Sequence, residues 1–311
     1  MEMSEQPRER RSAPRTITPL SVPAVNGPGI VRFPLKHAAL SEAVRSALDE
    51  DGAFDDVTTI ATVVSDRRSR GTLMARENGV ICGVPLALEA FRLLDPKVSI
   101  RVDREDGTRV RAGEPVLFVT GHARGLLSAE RVALNYLQRL SGIATLTARY
   151  VDAVKGTKAK ILDTRKTTPG WRTLEKYAVR AGGGTNHRMN LSTGVLIKDN
   201  HLAALDGDIE MAVSRARAIA APGVKIEVEC DRIEQVERAV AAGADVILLD
   251  NMTPDLMHEC VRLVNGRAIL EASGGVTPSN VRRIAESGVD WISVGALTHS
   301  APSMDLGLDF D

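Results

Sequence analysis

The chain predicts an α/β protein: an incomplete, seven-stranded β/α barrel preceded by a smaller N-terminal α/β sandwich domain. Three observations carry this. In the second half, short apolar runs alternate with helical segments, as in a parallel sheet whose strands are joined by crossover helices. In the first half, apolar runs are interrupted by Gly, Pro and Asp at short intervals, as in an antiparallel sheet. A length of 311 residues is enough to bury two cores. Seven strand-like runs are too few for the standard eight-fold barrel, so an incomplete one is expected.

Residues 1–29 carry Arg8, Arg10, Arg11 and Arg15 among prolines and polar residues, without the apolar stretch of a secretory signal. Glu2, Glu5 and Glu9 interrupt the basic run that a transit peptide would show, and a disordered tail is expected. The N-terminal domain is expected over 30–143. Leu40, Val44 and Leu48, at four-residue spacing, predict a helix over 37–50. A turn-rich segment at 51–56 follows, leading into Val57-Thr58-Thr59. Short strands such as 79–83 and 114–119 surround a helix at 85–94. A linking helix is expected from Ser128, read as its N-cap, to Ser141-Gly142, with Val132, Leu134, Leu137 and Leu140 facing a core.

The barrel is expected over 144–298. Its strands are placed at 160–163, near 185–188, and at 195–198, 225–229, 245–250, 268–271 and 291–294. Helices fall at 232–242 and 254–264, and another opens with Thr277-Pro278, a cap followed by proline at the first helical position. Residues 299–311 are expected to return to the N-terminal domain.

Lys plus Arg number 40, as do Asp plus Glu, so the formal net charge is zero. This balance argues against wholesale nucleic-acid or membrane binding and confines any anion site to a local concentration of charge. Cys82, Cys230 and Cys260 lie far apart with no CxxC spacing. That argues against a metal cluster or disulfide framework and for a reducing cytoplasm. No apolar run approaches about 18 residues, so no membrane span is expected.

The chemistry is concentrated in Asp163-Thr164-Arg165-Lys166-Thr167-Thr168-Pro169-Gly170, Asn186-His187-Arg188 and Ile197-Lys198-Asp199-Asn200-His201. Arg165, Lys166, Lys198, Glu227, Glu229, Asp250, Ser273 and Gly295 all fall at or near the C-terminal ends of expected strands, the rim that carries chemistry in β/α barrels. Arg165, His187 and Arg188 suit a ligand with two carboxylates, because guanidinium grips a carboxylate through two parallel hydrogen bonds. Lys166 and Lys198 are point charges for phosphate or carboxylate. Ser273-Gly274-Gly275 and Val294-Gly295-Ala296 end the last two strands, where barrels bind phosphate through backbone N–H groups. An isolated SGG is more often a turn, but a second glycine at the next strand end favours the cradle. Glu227 and Asp250 suit ribose hydroxyls and Mg²⁺ on a pyrophosphate. The competing reading for Glu227 and Asp250, and for Glu229 on the same strand face as Glu227, is internal pairing with neighbouring lysines. Arg131 alone reads as an ordinary surface charge.

The order and wording of these pieces resemble the quinolinate phosphoribosyltransferase family from about Leu40 to Asp311. The likeness extends to the stretch from Leu126 to Asn135 and to Leu140-Ser141-Gly142-Ile143-Ala144-Thr145. It implies that Arg131 reaches quinolinate across the interface of a homodimer or larger assembly. It further implies that Thr164, Arg165, Lys166, His187, Arg188, Lys198, Glu227, Asp250 and the loops Ser273–Gly275 and Val294–Ala296 bind substrates. Lys166, Lys198, Glu227 and Asp250 would carry catalysis, with Mg²⁺ held by the donor pyrophosphate, Glu227 and Asp250. Thr193 stands where relatives usually have aspartate. The implied reaction joins quinolinate to 5-phosphoribosyl 1-diphosphate, giving nicotinate mononucleotide, pyrophosphate and CO₂. Rival readings are a phosphoribosyltransferase for nicotinate or another ring acid, a Schiff-base enzyme using Lys198, and a non-catalytic relative.

Overall fold

The computed structural model describes residues 31–311, and the tail expected at 1–29 lies outside them. The first helix, α1 (His37–Glu50), buries Val44 and Leu48, as the four-residue spacing predicts. Asp56 caps α2 (Val57–Thr62) by accepting from the Thr59 N–H at 3.0 Å. Next come β1 (Arg68–Ala75), β2 (Gly79–Val80), α3 (Val84–Leu94), β3 (Ser99–Val102), β4 (Arg109–Val110) and β5 (Pro115–His122). β5 pairs antiparallel with β1 on one side and β3 on the other, while β2 and β4 form a short ribbon.

Helix α4 (Ala123–Ala153) spans 31 residues and overruns both expected ends. Ser128 is not its cap; the hydroxyl donates to Asp56 Oδ2 at 3.0 Å. Gly142 does not end it either. A Cβ there would lie 2.0 Å from the Pro302 carbonyl oxygen, so the glycine permits a close backbone crossing. Ser141, in mid-helix, accepts from Cys82 N at 2.9 Å and donates to Cys82 O at 3.2 Å. Those two bonds satisfy a buried stretch of backbone beyond β2.

The second half runs β6 (Lys160–Leu162), α5 (Arg172–Ala181), β7 (Val195–Ile197), α6 (Asp199–Ala203), α7 (Ile209–Ile219), β8 (Ile226–Cys230), α8 (Ile233–Ala241), β9 (Val246–Asp250), α9 (Pro254–Val264), β10 (Ile269–Ser273), α10 (Val281–Glu286), β11 (Trp291–Ser293) and α11 (Ala296–His299). Its strands form one six-stranded parallel sheet in the order β6-β11-β10-β9-β8-β7. The strand expected at 185–188 does not become a ladder strand. Thr185 makes a single parallel bridge to Leu162, and the chain then leaves the sheet. The reason is competition for backbone groups: His187 donates its N–H to Asp163 Oδ1 and accepts at its carbonyl from Lys176 Nζ.

Thr277-Pro278 forms a turn before α10 and not its first residues; Asn280 Oδ1 accepts from the Thr277 N–H at 2.8 Å. The expected cap-plus-proline start occurs instead at α9, where Thr253 caps Leu256 N and Pro254 follows. The chain ends in β12 (Leu306–Phe310), which pairs antiparallel with β1 and completes the sheet β12-β1-β5-β3.

Candidate active site

The strand-end rim is organised by a buried ion pair just past β6. Asp163 and Lys176 are both fully buried and paired through Lys176 Nζ. Asn186 Nδ2 donates to Asp163 Oδ2 at 2.5 Å and to Lys176 O at 2.8 Å. With the two His187 backbone bonds, at 2.9 and 3.0 Å, this pins segment 186–188 between β6 and α5. Burial pushes the Asp163 carboxyl up and the Lys176 ammonium down, each opposed by its partner's charge. Nothing local in the sequence singles out Lys176. Six successive residues of α5, Leu174 to Val179, are buried, so no polar stripe sets it apart.

The guanidinium groups of Arg188, on the pinned segment, and of Arg165, past β6, lie near enough to repel each other. Arg188 Nη1 donates to Gly194 O at 2.9 Å, and Arg165 Nε is buried with no hydrogen-bond partner among the described residues. Burial, and then the charge of Arg165, hold Arg188 below its ordinary value, with Glu227 opposing. Neighbouring desolvated cations with an unused donor are costly unless an anion joins them. Arg172, not foreseen, ties the two loops together by donating to Thr167 Oγ1, Met189 O and Arg165 O. Thr193 bonds only within its own turn, to the Asn190 N–H and carbonyl.

Lys166 is exposed at its side chain and held at its backbone. Its N–H donates to Thr164 Oγ1 at 3.1 Å, and its carbonyl accepts from Thr298 Oγ1 at 2.6 Å. A Cβ on Gly295 would lie 3.2 Å from Lys166 Cδ, so this lysine lies against the second glycine loop. Gly274 has φ 90°, and a Cβ there would be 2.1 Å from Asn251 Oδ1; only glycine satisfies both constraints. The N–H groups of Gly274, Gly275 and Gly295 make no hydrogen bond among the described residues. Val294 differs: its side chain is buried and its N–H is spent on Leu162 O at 2.9 Å.

The acidic residues separate by environment. Glu229 pairs with Lys198, which realises the internal-pairing alternative for that residue. Glu227, on the same face of β8, has no lysine or arginine ion-pair partner among the described residues. Its Oε2 lies 3.1 Å from His187 Nε2, while its Oε1 is buried without a hydrogen-bond partner among the described residues. Burial and then the charge of Glu271 push the Glu227 carboxyl up, against His187 and Arg188. Glu271, which strand position alone did not mark, comes from β10 to place Oε2 3.4 Å from the same His187 nitrogen. His187 Nδ1 accepts from the Arg188 N–H at 2.8 Å, so the ring proton belongs on Nε2. Burial disfavours the charged ring, but the two carboxylates outweigh it and raise His187 to about 10. That rise and the occupied Nδ1 pull in opposite directions, and both leave the proton on Nε2.

His187, Glu227 and Glu271 are the one group of potential metal ligands of this kind among the described residues, with ligand atoms within 4.8 Å of one another. With its proton on Nε2 the ring donates and does not ligate. Asp250, on β9, is half-buried and accepts from Asn251 Nδ2 at 2.8 Å. Arg131 is exposed on α4 and makes no hydrogen bond or ion pair among the described residues.

A parallel α/β sheet with cationic side chains and glycine loops past its strand ends and buried acids on its strands, beside a separate antiparallel sheet, fits an enzyme of the phosphoribosyl-transferring class. The family models agree. The quinolinate phosphoribosyl transferase N-terminal domain matches residues 56–141, and its C-terminal domain matches 143–309. The chain belongs to the quinolinate phosphoribosyltransferase family. It is 48% identical over 279 residues to the nicotinate-nucleotide pyrophosphorylase [carboxylating] of Mycobacterium leprae (strain TN), covering 87% of this chain and 97% of the relative. Against the probable enzyme of that name from Bacillus subtilis (strain 168), it is 42% identical over 275 residues, with 88% and 94% covered. The structure of the nicotinate-nucleotide pyrophosphorylase from Francisella tularensis superposes with a TM-score of 0.84 at 36% identity, covering 92% of this chain and all of that one (100%).

Proposed function

We propose that this chain transfers the phosphoribosyl group of 5-phosphoribosyl 1-diphosphate to quinolinate and decarboxylates the adduct, giving nicotinate mononucleotide, pyrophosphate and CO₂. The observation that carries this reading is the buried, unpartnered Arg165 Nε beside Arg188. A ring with two adjacent carboxylates meets both guanidinium groups, whereas a single carboxylate leaves one uncompensated.

In this reading the pyrophosphate oxygen leaves C1 of the ribose with the bonding electron pair, and the pyridine nitrogen forms the new bond. Glu227 and Asp250 stabilise the positive charge that develops at that carbon. The carboxylate next to the quaternised nitrogen then departs as CO₂, and the electron pair left on the ring carbon takes up a proton. No protein nucleophile is required, so positioning supplies much of the acceleration, about 7–11 kcal/mol for well-oriented reactants. Lys166 and Lys198 offer charge to the pyrophosphate and carboxylates, Thr164 supports Lys166, and the N–H groups of Gly274, Gly275, Gly295 and Ala296 with Ser273 receive phosphate. Val294 contributes shape only. Mg²⁺ fits the donor set, because Glu227 Oε1 is a buried carboxylate oxygen with no partner and Asp250 lies on the neighbouring strand. When bound, it would neutralise the leaving pyrophosphate.

The finer architecture belongs to the same reading: Thr185, through its single bridge to Leu162, marks the place of the seventh stave of an incomplete barrel, and Arg131 serves the neighbouring protomer of a homodimer. The three buried free cysteines suit a reducing cytoplasm. Release of CO₂ from quinolinate in the presence of 5-phosphoribosyl 1-diphosphate and Mg²⁺ tests the reaction. Product formed from nicotinate but not from quinolinate overturns it.

A further inference from the structure

We propose that Glu271 is a positioning residue that acts through His187 to aim Glu227 at the ribosyl carbon. The proposal rests on the reading of Glu227 given above. Glu271 is 1% exposed and Glu227 5%, so two carboxylates are held out of water on β10 and β8, with β9 between them. In register, Glu271 and Glu229 both lie opposite Leu248, which puts Glu227 one side-chain repeat below Glu229 on that face. Two such acids repel unless a cation or donor stands between them, and His187 Nε2 does, 3.1 Å from Glu227 Oε2 and 3.4 Å from Glu271 Oε2, the longer being an ion-pair contact and not a hydrogen bond. The far side of the ring is fixed because Nδ1 accepts the Arg188 N–H. Glu271 is fixed in turn at its other oxygen, Oε1, which accepts from Ser293 Oγ on β11.

The result is a chain of contacts, Ser293 to Glu271 to His187 to Glu227 Oε2. At its end Glu227 Oε1 has neither a hydrogen bond nor an ion pair among the described residues, whereas Glu271 Oε2, also without a hydrogen bond, keeps its ion-pair contact with His187. A buried oxygen without a partner is expensive and is retained where a ligand group will meet it. Glu271 itself need not touch substrate. It orients the ring in the way that a carboxylate orients a metal-bound or catalytic histidine.

The test is a set of steady-state measurements on Glu271→Gln, Glu227→Gln and the double variant, with thermal unfolding as a control. Removing an outer orienting partner is expected to lower kcat by about 10–100-fold. The KM for quinolinate should stay within about twofold, because the interaction lost is made in the transition state. In the Glu227→Gln background the further loss should be under about twofold, since residues acting through one group are non-additive. Ser293→Ala, which removes only a hydroxyl, should show the same split at smaller amplitude, and it decides the matter if Glu271→Gln does not fold. A raised quinolinate KM with kcat intact would mean that Glu271 serves the acceptor pocket and overturns the proposal. So does a loss that adds fully to that of Glu227→Gln. Near-normal turnover in Glu227→Gln retires the reading of Glu227 and this proposal together, whereas a defective Glu227→Gln beside a normal Glu271→Gln retires this proposal alone.

Discussion

Lys176 and Asp163 form an ion pair from which water is excluded, and the backbone of His187 is bonded to both partners. The pair is the hinge pin between two stretches of sequence: it lets the end of β6 specify where the His187–Arg188 dipeptide sits. Lys176→Met is therefore expected to leave a buried carboxylate uncompensated and to cost about 3–5 kcal/mol of stability. Chemical denaturation reads this out, and a loss below about 1 kcal/mol would show that the pair is not a structural anchor.

The acceptor pocket offers a sharper contrast. Arg188→Ala removes one of two half-buried guanidinium groups and is expected to weaken quinolinate binding by about 2–5 kcal/mol. Binding of the ribosyl donor should change less. Calorimetric titration of each substrate separates the two, and normal quinolinate affinity would remove Arg188 from the pocket.

For the acids, Glu227→Gln and Asp250→Asn keep volume and remove charge. Both should fold with wild-type unfolding curves and lose at least about tenfold in kcat, equivalent to about 1.4 kcal/mol of barrier. Turnover within twofold of the parent in both variants would contradict charge stabilisation at the ribosyl carbon.

Arg131 is expected to act in the site of a partner protomer. Mixing inactive Arg131→Ala with inactive Lys198→Ala should restore activity, because a mixed dimer contains one site with both native residues. Confirmed subunit exchange without recovered activity would place Arg131 within its own chain's function or outside it altogether.

Acid stability has a predictable sign. Burial raises the Asp95 carboxyl, but the N–H groups of His122 and Lys97 and the His122 ring outweigh it and hold Asp95 below 3.8. Hydrogen bonds from Thr59, with Ser128 adding to them, hold Asp56 below 3.8 as well. A depressed folded value means that both contributions are fully present above the ordinary 3.8 and vanish as pH falls through the lower folded values. Asp95→Asn and Asp56→Asn should each flatten the decline in stability below about pH 4 relative to the parent protein. Unchanged acid limbs in both would show that these carboxylates are not linked to folding.

The elements written in local periodicity came through from the chain alone. Spacing of apolar residues placed α1 at 37–50 and the run at 254–264 where the helices lie, because one face of a helix is encoded within a dozen neighbouring residues. Asp250 at the end of β9, Lys198 after β7, and Arg165 and Lys166 after β6 lie where the same pattern places them, whereas Glu227 is the second residue of β8 and not at its end. What distance in sequence concealed was left to the tertiary structure. Gly142 looked like a helix end because a terminating glycine and a glycine crossed by another backbone read alike until Pro302 is in place. Residues 185–188 looked like a strand because their sequence does not show that Asp163 and Lys176 will claim the His187 backbone. Glu227 and Glu229 share a period and a composition, yet one meets Lys198 and the other meets His187 and Glu271. Those partners come from β7, from the segment after α5 and from β10, and only the stacking of parallel strands sets which of them faces which acid.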